Sequence, residues 1–246
     1  MTQAPPRIRH VPHAGRLVPV DVRAPFLVDR AALARERQCM TDHYADVLFA
    51  SGDPERDIVF PVSPLVIDAI GPEDGHGDAG AGVIPTRAQD GRPLRQPPTD
   101  ATREFLLARY YRPHHERLTG LIERDLGRYG QALLLNGHSF ASQPFPGETD
   151  PRPHRPEICI GTDAFHTPEV LRDKAVRAFL EQGFVIALDR PLAGTFVPFR
   201  YRQRDRRVAA LTIGVRRDLY MDETTGRQRV DFDAFLARLA AILGRL

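Results

Sequence analysis

The 246-residue sequence predicts an α/β fold in which a mostly parallel sheet lies between helical layers. Three observations lead there. The strand candidates are short, and several are continuous apolar runs rather than alternations, the pattern of strands covered on both faces. Stretches of helical periodicity recur between them. A hydrophobic fraction of 42% with two cysteines supplies one sizeable core and no disulfide framework.

In chain order the strand candidates are Ile8 to Val11, Ile58 to Phe60, Leu65 to Ile67, Ala132 to Leu135, Ile158 to Ile160, Phe184 to Leu188 and Val208 to Val215. Helical spacing covers Arg30 to Phe49, Thr102 to Tyr129, Pro168 to Gln182 and Asp231 to Leu243. Thr167 before Pro168 and Glu169 reads as an N-cap with proline at the first helical position, and Gly183 as the stop. The last helix carries an apolar stripe of Phe232, Phe235, Leu236, Leu239 and Ile242, with Gly244 as its expected end. Gly71 to Pro98, rich in Gly, Pro and Asp, reads as a functional loop. No repeat or linker divides the chain, so residues 1–246 are expected to form a single domain.

Charged residues make up 27% and the net charge is +2, which excludes an acidic disordered chain and argues against a cationic nucleic-acid binder. All but Lys174 of the 34 basic residues are Arg, an excess that codon usage explains unless some of them converge. No signal-peptide-like start and no apolar stretch of about 20 residues is present, so a cytoplasmic protein without a membrane anchor is expected. Cys39 and Cys159 fit buried free thiols in a reducing compartment.

Chemistry concentrates where apolar strands run into polar residues. His13 follows a strand end in Val11-Pro12-His13-Ala14-Gly15, where the glycine permits a sharp turn, and His138 does the same in Leu135-Asn136-Gly137-His138-Ser139. Ligand sites in α/β sheets form beyond the carboxyl ends of strands. Two imidazoles there suit zinc, which at a catalytic site takes three protein ligands and keeps one position open. Spacing alone reads each histidine more often as a hydrogen-bonded polar residue than as a ligand. A third ligand is available within Thr41-Asp42-His43-Tyr44-Ala45-Asp46, near the middle of a helical segment. His114 and His115 lie on the long helix and point in different directions. Arg200, Arg202, Arg204 and Arg206 share one face if that segment is extended, either as a solvated surface or as an anion-binding edge. No P-loop, dinucleotide-binding glycine pattern or serine-hydrolase elbow occurs.

In order and spacing these pieces resemble the N-formylglutamate amidohydrolase family over nearly the whole length. The resemblance runs through Pro12-His13-Ala14-Gly15, Thr41-Asp42-His43, Gly82-Val83-Ile84-Pro85, Asp90-Gly91-Arg92-Pro93-Leu94, Tyr111-Arg112-Pro113-His114-His115, Gly137-His138-Ser139, Pro156 to Thr162, Ala193-Gly194 and Tyr220-Met221-Asp222-Glu223. It implies a three-layer, zinc-peptidase-like (phosphorylase/hydrolase-like) α/β fold with a mostly parallel mixed sheet. It also implies a Zn²⁺ site of His13, Asp42 and His138, and metal-assisted hydrolysis of a linear amide. Asn136 stands where the family has an aspartate. Gly214 stands where the family carries its general-base glutamate, in Ala210-Leu211-Thr212-Ile213-Gly214-Val215. Of two family arginines suited to a substrate carboxylate, one is absent after Ile67-Asp68 and the other aligns with Phe199, beside Arg200.

These departures leave two expectations. In the first, a zinc hydrolase cleaves an N-acyl amino acid, peptide or related amide other than, or in addition to, N-formylglutamate. His115 or a relocated carboxylate then assists the water, and Ser139 and Arg200 contact an anionic small-molecule substrate. In the second, a catalytically impaired member keeps the metal as a binding or regulatory protein. Nucleic acid and membrane are not expected partners.

Overall fold

The structure is a computed structural model that describes residues 5–19, 26–73, 82–146, 148 and 150–246. Its centre is a six-stranded sheet formed by β1 (Arg7–Val11), β2 (Asp57–Val59), β3 (Ala132–Phe140), β4 (Ile158–Gly161), β5 (Ile186–Leu188) and β6 (Val208–Arg216), in the order β2-β1-β3-β6-β4-β5. Every neighbouring pair is parallel except β4 with β6. The sheet is therefore mostly parallel, as the continuous apolar runs predict, and mixed, as the family resemblance implies.

The helices are α1 (Arg30–Met40), α2 (Ala45–Leu48), α3 (Asp100–Leu106), α4 (Arg112–Tyr129), α5 (Glu169–Leu180) and α6 (Phe232–Arg245). A π-helical turn, Leu107–Tyr111, joins α3 to α4. Alternation along the strands sorts the core into two layers. Ile8, Leu134, Val208 and Ala210 meet Leu118, Leu121 and Ile122 of α4 on one face. On the other, Val11, Leu135, Leu211 and Ile213 meet α2, α5 and α6. The α6 stripe is buried at Phe232, Phe235, Leu239, Ile242 and Leu243. Under α4, buried Asp125 accepts two bonds from Arg56, at 2.6 and 2.8 Å, which ties the helix to the start of β2.

Several expectations change. Leu65 to Ile67 is a buried turn, closed by Val66 N–H donating to Ser63 O at 2.8 Å; complete burial gave it the apolar signature of a strand. The periodic segment Arg30 to Phe49 is two helices. α1 stops at Thr41, which has extended dihedrals, and α2 begins after Tyr44 at φ 62°. Thr167 does not cap α5: its hydroxyl donates to Ala210 O at 2.7 Å and accepts from Asp163 N–H at 2.9 Å. Gly244 does not end α6, which continues to Arg245. Within the loop expected from Gly71 to Pro98, residues 74–81 lie outside the described residues.

Candidate metal centre

Three elements deliver the central side chains. His13 follows β1, where the chain runs against the segment after β2. A Cβ on Gly15 would lie 2.5 Å from Phe60 O and Val62 O. Glycine is needed there for close backbone approach, not for the sharp turn expected. Asp42 sits in the break between α1 and α2, not mid-helix, and its N–H donates to His13 O at 2.9 Å. His138 is near the carboxyl end of β3. The centre thus forms beyond the ends of the central parallel strands, the usual place in open α/β sheets.

One donor atom from each of His13, Asp42 and His138 lies within 4.8 Å of the others. Asp42 Oδ2 is 3.0 Å from His138 Nδ1 and 3.9 Å from His13 Nδ1. The far nitrogen of His13, Nε2, donates to Asp68 Oδ1 at 2.8 Å, which leaves Nδ1 facing Asp42. The other oxygen of Asp42 is held separately. Ser139 Oγ donates to Oδ1 at 3.0 Å, Arg217 Nε donates to Ser139 Oγ at 3.0 Å, and Arg217 Nη1 donates to Gln38 O at 3.1 Å.

The electrostatics follow these contacts. Burial alone would raise the Asp42 carboxyl, but the bond to His138 and the charges of His13 and Arg217 outweigh it and hold the group at about 2. Burial works against a charged His13, yet Asp68 and Asp42 raise it. Asp68 is lowered, because His13 and the Ile70 N–H overcome its desolvation.

A cavity of about 830 Å³ contains the triad. Its lining carboxylates other than Asp42 are already engaged. Glu148 holds Arg155 and the Phe145 N–H, and Asp150 holds Arg152 and Arg190. Asp163 accepts from the Phe165 and His166 N–H groups, and Asp189 from Thr162 and Gly194. Gly214 pairs in register with His138, so the two share a face of the sheet. A Cβ there would lie 2.8 Å from Leu192 Cδ1 and 3.2 Å from Phe140 Cδ1.

The other sequence candidates fall at varied places. Ser139 reaches the centre through Asp42 and also lines the cavity. His115 donates to no carboxylate among the described residues; its Nε2–H donates to Ala69 O at 2.9 Å, and its ring packs on Tyr111 and near Phe199. With Arg200 it borders a second cavity of about 440 Å³. Asn136 bonds His10 Nδ1 at 2.7 Å, Thr195 Oγ1 and Phe196 O. Asp46 is exposed on α2.

The arginine-dense segment is a series of turns before β6, not an extended strand, so its residues do not share one face. Arg200 pairs with Glu123, Arg207 with Asp205, and Arg206 lies over the Phe165 ring. Arg202 alone of that segment lines the metal cavity. Two residues not singled out from sequence, Asp68 and Arg217, complete the support of the triad. Asp68 directly follows the apolar run Leu65-Val66-Ile67, the kind of signal that marks His13 and His138, whereas Arg217 is separated from its strand's apolar residues by Arg216 and carries no such mark.

Comparison with known proteins bears on the whole chain. The sequence profile of the N-formylglutamate amidohydrolase family matches residues 6–221. The fold is similar to the crystal structure of an N-formylglutamate amidohydrolase from Ralstonia eutropha JMP134, with a TM-score of 0.81 at 24% identity, covering 98% of this chain and 92% of that one. It is also similar to a gene product from Agrobacterium tumefaciens, with a TM-score of 0.68 at 15% identity, covering 98% and 91%. No curated protein sequence matches. No helix among the described residues is long and apolar enough to cross a membrane.

Proposed function

Because the chain belongs to the N-formylglutamate amidohydrolase family, we propose that it is a zinc-dependent hydrolase of an N-acyl amino acid or related linear amide, with His13, Asp42 and His138 as the metal ligands. The observation that carries this reading is the convergence of three donors from three separate elements within 4.8 Å. Two imidazoles and one carboxylate suit zinc, and the cavity leaves room for a further ligand. When bound, zinc supplies Lewis-acid activation of water and of the amide carbonyl.

The chain's own residues prepare that chemistry. Asp68 fixes the His13 tautomer by accepting the Nε2 proton, so Nδ1 is the nitrogen presented inward. Ser139 and Arg217 hold Asp42 Oδ1 and leave Oδ2 towards the two histidines. Arg202 lines the same cavity and offers a guanidinium to an anionic small-molecule substrate. His115 meets this cavity through Phe196, whose ring centroid is 5.8 Å from its own and which lines the cavity. Cys39 and Cys159, both free thiols, support a reducing cytoplasmic setting.

One observation favours the second reading, a metal-containing binding protein. Gly214 offers no carboxylate beside His138, and the other lining carboxylates are held by arginines, side-chain amides or backbone N–H groups. Metal analysis and a substrate panel separate the readings. Stoichiometric zinc with hydrolysis of an N-formyl, N-acetyl or peptide substrate supports the hydrolase. Stoichiometric zinc with no turnover of any of them favours the binding protein. Absence of zinc that His13→Ala does not alter removes both.

A further inference from the structure

The wall beside His138 is apolar where its strand neighbour lacks a side chain. Gly214 of β6 lies opposite His138 of β3, on the same face of the sheet. The volume that a side chain at 214 would occupy is filled instead: Leu192 Cδ1 lies 2.8 Å from the Cβ position, and Phe140 Cδ1 and Cε1 lie 3.2 and 3.3 Å from it. Phe140 is two residues beyond His138 on the same strand, hence on the same face. Leu192, Phe140, Phe145 and Phe196 all line the cavity that holds the triad.

Leu192 is also held in place by its own backbone. Its carbonyl accepts from Cys159 Sγ at 3.1 Å, and Gly161 allows close approach of the same loop, since a Cβ there would meet Gly194 O and Leu192 O. The side chain is therefore pinned over Gly214 rather than swinging at a loop tip. An apolar group fixed next to a metal ligand favours ligands that bring hydrocarbon to that point, because water there has few polar partners.

We propose that Leu192 is a specificity-determining residue, which with Phe140 forms an apolar subsite beside His138 and selects ligands carrying an aliphatic or aromatic acyl group over those with a formyl or acetyl group. This rests on the assignment of the metal site. Hydroxamates test it directly, since each presents its acyl substituent next to the metal it chelates.

Zinc-loaded full-length protein is titrated calorimetrically with acetohydroxamate and benzohydroxamate. Zinc content and melting temperature are measured for every variant. Wild type is expected to bind benzohydroxamate at least about 10-fold more tightly, the order of effect expected for burying a phenyl ring. Leu192→Asn reduces that preference, read as the ratio of the two affinities in each variant, to about 2-fold, and Leu192→Met restores it. Equal affinities in wild type, or a preference that Leu192→Asn leaves intact, overturn the subsite alone. A wild-type chain that retains no stoichiometric zinc overturns the metal assignment, and the subsite with it.

Discussion

Asp68 illustrates how a single side chain outside the triad determines what the triad can do. By accepting the Nε2 proton of His13 at 2.8 Å it decides which nitrogen faces Asp42. Asp68→Asn is expected to weaken zinc affinity by about 10- to 100-fold in competition with a chromophoric chelator, with little change in melting temperature of the metal-free protein. Unchanged affinity would mean that His13 is oriented by its backbone alone. A second pair makes a pH prediction. His10 and His114 face each other at 3.0 Å, fully or nearly buried. Burial and neighbouring positive groups push His114 down to about 3, and burial with His114 pushes His10 well below its ordinary range. In the unfolded chain both take up protons below about 6.5. Their contribution to stability is therefore complete above about pH 6.5 and is lost as the pH falls towards the folded values. The urea midpoint is expected to drop between pH 7 and pH 5, and His114→Gln to make that drop shallower; an identical slope in the variant rules the pair out as its source. The sequence marks His13 and His138 because each ends an apolar run, but tells nothing of which nitrogen each presents, since that depends on a partner 55 residues away for His13.

At the scale of elements, the break between α1 and α2 matters most for the site. A continuous helix from Arg30 to Phe49 would commit the Asp42 N–H to a helical carbonyl, whereas the break gives it to His13 O. Apolar residues continue across the break although the two helices pack in different places, Leu33 and Met40 of α1 against Leu65 and Leu94 and Ala45 and Leu48 of α2 in the main core, and the sequence shows no glycine or proline at residues 41–44 to announce it. β6 and the loop carrying Leu192 form a second coupled unit. Gly214→Glu by itself is expected to lower stability by about 1–3 kcal/mol in urea denaturation, because Leu192 and Phe140 occupy the space. It should yield no N-formylglutamate hydrolysis; combining it with Leu192→Ala should recover most of the lost stability. Full activity or undiminished stability in the single variant would contradict this packing. The α6 stripe was readable from its spacing, and Leu239, fully buried, should cost about 2–5 kcal/mol as Leu239→Ala. That loss is measurable as a shift in denaturation midpoint at constant slope.

Across the whole molecule, the centre links the end of β1, the α1–α2 break and β3. A metal that binds only when these are together stabilises the fold by mass action, about 2.7 kcal/mol at a free concentration 100 times its dissociation constant. Zinc is thus expected to raise the melting temperature of wild type and to leave that of His13→Ala unmoved; an equal rise in both would place the ion elsewhere. The sequence by itself determined the mostly parallel sheet, the helices over both its faces and the two strand-end histidines of the proposed metal site, because periodicity and strand-end chemistry are local properties written in neighbouring residues; Asp42 followed only from the family resemblance. It also carried the resemblance that points to the family. Only the tertiary structure decided which arginine of the segment from Arg200 to Arg206 reaches the cavity around the triad, that Arg202 lines it while Arg200 pairs with Glu123, and that Leu192 fills the place beside Gly214. Those outcomes depend on contacts between segments far apart in the chain, and packing decides them through the space that distant backbone leaves.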